Sequence, residues 1–251
     1  MIPVTFSCES ETLAGNLHPA DGTTGVLIVT GGGQIRAGPQ RLFLHLASDL
    51  SASGTPVFRF DRRGIGDSSG TDAGFEDSGP DIAAAAAELR MRQPHVERVI
   101  GVGLCDGATA MILSPASLDG LILLNPWIIE DSAPPSQGEV TAHYKRRLLQ
   151  PENWKRLLRG RVNPVKALAS FIRARAHGAP AGLEMRVEQA LASLDMPIHA
   201  ILSSRDRTAD AVRPLTKRAA LASTHDIDAD HAFSAAESLT ALKARISHIL
   251  S

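Results

Sequence analysis

Short apolar runs alternate along this chain with longer stretches of helical composition. Residues 26–30 (VLIVT), 56–60 (PVFRF), 99–102 (VIGV), 121–125 (LILLN) and 198–203 (IHAILS) are almost continuously apolar. Strands buried on both faces have this character, because neither side chain direction meets water. Upstream, 4–7 and 12–17 alternate as an antiparallel pair would, with a turn at Glu9 to Glu11. Between the central runs, 39–53, 80–92 and 106–114 predict helices, and AAAAAEL within the second has the strongest helix propensity of the chain. A last helix is expected over 234–250, where Ser234 followed by Glu237 spells a capping box. Strands alternating with helices predict an α/β fold, a mostly parallel central sheet with helices on both faces.

One stretch breaks the alternation. From 127 to about 195 no strand pattern occurs, and prolines and a glycine (Pro151, Gly160, Pro164) interrupt a series of short helical segments. The expectation is one domain over 1–251 with a helical cap inserted at about 127–195, since 251 residues suit a single large α/β core. Within the insertion, residues 143–175 carry ten Lys and Arg against one acid, Glu152. That basic segment reads either as the solvated outer faces of helices or as an attractor for an anionic acyl carrier or polysaccharide.

Composition narrows the classes without choosing a partner. With 43% hydrophobic and 21% charged residues and a formal net charge of -1, the chain is neither disordered nor a whole-chain polyanion binder. Nucleic acid is therefore not an expected partner. No apolar run approaches the roughly 20 residues of a membrane-spanning helix. The opening MIPVTFSCESETLAG has no basic and apolar leader pattern, so a cytoplasmic location is expected. Two cysteines, Cys8 and Cys105, do not form a disulfide framework. Cys8 falls in the edge pair and is expected to be structural.

The sharpest chemical signal is Gly103-Leu104-Cys105-Asp106-Gly107. It joins a strand to a helix in the pattern G-x-nucleophile-x-G, with cysteine where serine is usual. So tight a turn needs glycines beside the nucleophile, and the following helix N-terminus favours a thiolate. Taken alone, the segment fits equally an inert buried thiol in a tight turn. Downstream lie Ser203-Ser204-Arg205-Asp206, after an apolar strand, and Asp230-His231-Ala232-Phe233-Ser234, before the last helix. The gap between Asp206 and His231 leaves room for one helix and one strand, which would return both side chains to one edge of the sheet.

With Asp61-Arg62-Arg63-Gly64-Ile65-Gly66-Asp67-Ser68, which is similar to a D-x-R-G-x-G-x-S loop, these segments resemble the α/β-hydrolase superfamily along nearly the whole chain. More narrowly, the GLCDG elbow resembles that of hydrolases associated with the exosortase A system. The resemblance implies an α/β-hydrolase fold and a Cys105, Asp206, His231 triad in the order nucleophile, acid, histidine. It also implies an oxyanion hole at Thr30-Gly31-Gly32-Gly33-Gln34, where the family often carries His-Gly. Gly32 and Asp106 are the backbone donors chosen by position, and Thr30 replaces the usual histidine. Gln34 and Arg36, close to that loop, are candidates for substrate contact.

The chemistry so implied is cleavage of an ester or thioester of a small molecule or acyl carrier through an acyl-enzyme, with no cofactor. Acyl transfer on the same intermediate and a non-catalytic hydrolase-like binding module, in an exopolysaccharide setting, are the alternatives. A metal site is not expected: His225, Asp226, Asp228, Asp230 and His231 are close in sequence, but in a strand alternate residues face opposite ways. The remaining histidines (18, 45, 95, 143, 177, 199 and 248) stand in segments without catalytic context.

Overall fold

The computed structural model of the chain describes residues 1–115, 117–129 and 182–251. Eight strands form one sheet: β1 (Ile2–Cys8), β2 (Glu11–His18), β3 (Thr24–Val29), β4 (Val57–Phe60), β5 (Arg98–Leu104), β6 (Gly120–Leu124), β7 (Ile198–Ser203) and β8 (Ser223–Ile227). Their order across the sheet is β1-β2-β4-β3-β5-β6-β7-β8. The first hairpin, β1 with β2, and the β2–β4 pair are antiparallel, and every other pairing is parallel. This is the expected α/β-hydrolase architecture, an eight-stranded and mostly parallel sheet with helices.

The described helices are α1 (Leu42–Ala52), α2 (Gly79–Arg92), α3 (Asp106–Leu113), α4 (Leu183–Ser193), α5 (Arg207–Arg218) and α6 (Ala236–Leu250). Parallel strands need crossovers, and helices supply them on both faces. Strand β3 shows how the core divides. Its Val26 and Ile28 pack in one cluster with Leu42, Phe43 and Leu46 of α1 and Leu242 and Ile246 of α6. Leu27 and Val29 face the other way, into a cluster with Ile82 and Leu89 of α2 and Met111 of α3. Both side chain directions are buried, which is why the run reads as unbroken apolar sequence. Each such residue contributes roughly 1.5–3 kcal/mol by leaving water.

Two expectations change in detail. The helix expected over 39–53 begins only at Leu42, because Gln40 and Arg41 take left-handed backbone angles (φ 48 and 63). The capping box at Ser234 and Glu237 does not form. Ser234 instead donates its N–H and its hydroxyl to Asp230, and α6 starts at Ala236 behind an uncapped Ala235. Of the insertion expected at 127–195, residues 130–181 and their basic segment lie outside the described residues. Its last part forms α4, whose Leu183, Val187 and Leu191 are buried in the same cluster as α2 and α3.

Candidate active site

Parallel pairing of β3, β5, β6, β7 and β8 carries the loops that follow these strands to one edge of the sheet, where open α/β folds bind ligands. At the end of β5 the chain turns at once into α3. Cys105 is the pivot, with φ 59 and ψ -128, a conformation that costs a non-glycine residue about 1–3 kcal/mol. The strain is held from several sides. The Cys105 N–H donates to the Leu124 carbonyl at 3.0 Å, and its own carbonyl accepts from Ala108 and Trp127. At Gly107 a Cβ would meet the Val29 and Thr30 carbonyls at 2.7 Å, so only glycine lets α3 approach the end of β3 this closely.

Asp206 follows β7 and caps α5. Its carboxylate accepts from the backbone N–H of Thr208 at 3.1 Å and of Ala209 at 3.3 Å, which fixes the group at a helix N-terminus. His231, after β8, sets its Nδ1 2.8 Å from Asp206 Oδ2. Asp206 is buried and the imidazole about one third exposed (side chains 8% and 35%). With Nδ1 engaged, Nε2 is the ring atom left for a proton transfer.

A residue that sequence reasoning missed holds this side together. Asn125, fully buried after β6, takes a left-handed φ of 44. It accepts from the Ser203 N–H and donates to the Ser203 hydroxyl, both at 2.8 Å, and donates to the His231 carbonyl at 3.0 Å. One amide thus joins the ends of β6 and β7 to the histidine loop. Its only sequence signal is a polar residue closing the run LILL.

The thiol reverses one expectation. The helix N-terminus at the elbow favours a thiolate, but burial pushes the Cys105 thiol up to about 11. The Asp106 carboxylate adds to the rise and so does Asp206, while the Asp106 backbone N–H at the sulfur pulls the other way. Near neutral pH the resting sulfur therefore carries its proton.

The glycine loop after β3 lies against the elbow. A Cβ at Gly31 would come within 2.5 Å of Asp106 Oδ1 and 2.6 Å of the Leu104 carbonyl. The Gly32 N–H, expected as an oxyanion donor, is occupied: it donates to Asp106 Oδ1 at 2.5 Å. Behind it, Arg62 Nη2 donates to the Gly32 carbonyl at 2.6 Å. Arg62 is a second residue that sequence reasoning missed.

Gln34 closes the turn, its N–H donating to the Gly31 carbonyl at 3.2 Å, and its side chain oxygen is buried without a partner among the described residues. Arg36 is engaged elsewhere. Its Nε donates to Asn16, its Nη2 pairs with Asp67 at 2.8 Å, and its Nη1 pairs with Asp61. It lines a cavity of about 240 Å³ with Asn16, Arg59, Asp61 and Asp67, and none of Cys105, Asp206 and His231 lines that cavity. The guanidinium therefore ties down the 61–68 loop.

The acidic run near the C-terminus is dispersed. Asp226 pairs with Arg213, Asp228 with Arg205, and Asp230 binds Ser234. Cys8 donates to Asp81 at 3.3 Å, and burial, with that carboxylate next, pushes its thiol up to about 11 as well.

Comparison with known proteins agrees with this geometry at the level of the fold. The structure superposes on the alpha/beta hydrolase GrgF from Penicillium sp. sh18 with a TM-score of 0.68 at 15% identity, covering 97% of this chain and 96% of that one. The Pyrococcus furiosus esterase Pf2001 gives a TM-score of 0.66 at 18% identity, over 99% and 89% of the two chains. Alpha/beta hydrolase domain-containing protein 10 from mouse gives 0.60 at 15% identity, over 100% and 98%. No curated protein matches the sequence. No helix among the described residues is long and apolar enough to cross a membrane. The sequence pattern of the Alpha/beta hydrolase family matches residues 26–241, and the chain belongs to that family.

Proposed function

We propose that this hydrolase cleaves an ester or thioester through a Cys105, His231, Asp206 triad and a covalent acyl-enzyme. The observation that carries the reading is the pairing of His231 Nδ1 with Asp206 at 2.8 Å, on the same sheet edge that holds Cys105 in a strained strand-to-helix turn. Because the thiol is raised to about 11, the sulfur does not rest as a thiolate. His231 Nε2 removes its proton as Cys105 Sγ attacks the substrate carbonyl carbon. Asp206, fixed by two backbone N–H groups, orients the ring and stabilises its charged form. The C–O or C–S bond to the leaving group then breaks, and His231 returns the proton to that group. Water attacks the thioester, gives its proton to His231, and the sulfur recovers it.

The oxyanion forms against the N–H groups of Gly32 and Asp106 in this reading, and Gln34 flanks the acyl site. The substrate is a small molecule or an acyl carrier, and the chain acts as one domain, with a cap drawn from within 127–195 and a cytoplasmic location. The GLCDG elbow supports membership among the exosortase A system hydrolases and thus a place beside exopolysaccharide export.

Cys105→Ala decides the matter. It is expected to lower hydrolysis of nitrophenyl esters by at least about a thousandfold while the far-UV circular dichroism stays that of the wild type. Retained hydrolysis ends the nucleophile assignment.

A further inference from the structure

Gly32 is gripped from both sides by opposite charges. Its N–H donates to the Asp106 carboxylate at 2.5 Å, and its carbonyl accepts from the Arg62 guanidinium at 2.6 Å. Arg62 is buried, at 2% exposure. Its Nε and Nη1 have no hydrogen-bond partner, and no carboxylate pairs with it, among the described residues. A buried cation without a counter-ion costs several kcal/mol, and an anion that comes to stand near it lowers that cost. Across the glycine that place is held by Asp106 Oδ1, which is also where a substrate carbonyl oxygen must go to reach the Gly32 N–H.

We propose that Asp106 and Arg62 act on the oxyanion loop as an opposed pair. Asp106 is an internal competitor that a substrate carbonyl must displace, and it selects against acyl groups bearing a negative charge beside that carbonyl. Arg62 is a positioning residue: it fixes the Gly32 peptide and supplies the positive charge that the oxyanion meets.

The inference rests on Cys105 as nucleophile and adds a coupling to it. The Asp106 carboxylate that sits on the donor also acts on the sulfur, because its charge opposes ionisation of the thiol. When an entering carbonyl pushes it aside, the donor is freed and the thiol is easier to ionise in the same movement. A neutral acyl chain allows this displacement. A carboxylated one brings a second anion to the same few ångströms and is disfavoured by like-charge repulsion.

The test compares the full-length wild type with Asp106→Ala, Asp106→Asn, Arg62→Met, Arg62→Lys and Cys105→Ala. It uses 4-nitrophenyl butyrate, mono-4-nitrophenyl succinate and the pH dependence of iodoacetamide alkylation at Cys105. Losing a hydrogen bond to a charged group is expected to lower the KM of Asp106→Ala for butyrate by about tenfold. The succinate ester gains more than butyrate, and the alkylation midpoint falls below that of the wild type, because the Asp106 charge that raises the thiol is gone. Asp106→Asn keeps a neutral and weaker acceptor on Gly32, so its midpoint falls while its KM falls less than that of Asp106→Ala. Arg62→Met loses kcat by about a hundredfold with KM within about twofold, and Arg62→Lys recovers part of it. A merely structural arginine would shift thermal stability without that split. Unchanged KM and unchanged alkylation in both Asp106 variants, with Cys105→Ala inactive, overturn the proposal alone. Hydrolysis by Cys105→Ala overturns it together with the nucleophile reading.

Discussion

Two of the charged clusters among the described residues, one around Asp61 and one around Gly32, differ in how completely they are satisfied. In the first, Asp61, fully buried, accepts from the Arg36 N–H at 2.6 Å and the Asp67 N–H at 3.1 Å and pairs with the Arg36 guanidinium. Arg59 donates to the Arg36 carbonyl at 2.6 Å and lies 3.1 Å from His18 Nε2. In the second, Arg62 leaves two nitrogens without partners among the described residues, Asp106 sits on the Gly32 N–H proposed as an oxyanion donor, and the Cys105 thiol is held protonated. Asp61 and Arg62 are adjacent in sequence, yet one closes a network and the other leaves its own open. A saturated network fixes backbone, whereas residual demand marks the place where a substrate is to complete the bonding.

The comparison breaks first at Asp61. Asp61→Ala leaves the Arg36 guanidinium and two backbone N–H groups short of an acceptor. It should cost about 4 kcal/mol, because removing one partner strands the other in low dielectric. For a chain of this size that is a fall in Tm of roughly 8–16 °C, measurable by differential scanning calorimetry. If Asp61→Ala melts within a degree of the wild type, the first cluster is not structural and the contrast is lost.

His18 gives the next largest effect. It is buried, and burial, with the Arg59 charge next, lowers its pKa from 6.5 to about 4. The folded state thus holds the ring neutral while the unfolded chain protonates it at 6.5. The unfolded state binds more protons between these values, so the contribution is fully present above 6.5 and is lost as pH falls through about 4. The loss reaches at most about 3 kcal/mol. Urea unfolding at pH 7 and pH 4.5 should therefore show a smaller acid loss for His18→Gln than for the wild type. An equal loss in both would mean that another group controls the acid limb.

What the sequence makes legible follows from how local each cause is. The central strands read as unbroken apolar runs because both faces of residues such as Val26 and Leu27 are buried. Strand β8 (STHDI) reads only as room between Asp206 and His231, since its outer positions alternate between half-buried and exposed. Ser234 misleads because Asp230, four residues earlier, takes the hydroxyl that a capping box needs. The triad candidates are visible through strand ends and chain order. The Asp106 carboxylate on Gly32 is not, as that bond spans 74 residues and depends on how closely β3 meets the elbow. The direction of the thiol shift is illegible for a similar reason: the local motif favours a thiolate, and three-dimensional burial outweighs it.

Asn125 sharpens the contrast from between the two regimes, because it is fully satisfied yet touches the histidine loop. Its Oδ1 accepts from the Ser203 N–H, and its Nδ2 divides between the Ser203 hydroxyl and the His231 carbonyl. Asn125→Ala strands these groups in a buried place and should cost about 1–2 kcal/mol of stability. Asn125→Asp keeps the acceptor for the Ser203 N–H but loses both donations, so it separates the strand tie from the histidine tie. If the amide serves only to join β6 and β7, kcat in each variant follows the folded fraction. If it also sets the imidazole, kcat at full folding falls by about tenfold in both, with KM nearly unchanged, because a ring displaced by a fraction of an ångström transfers its proton less well. The second outcome is expected, since the third bond of that amide goes to the backbone of the residue that pairs with Asp206.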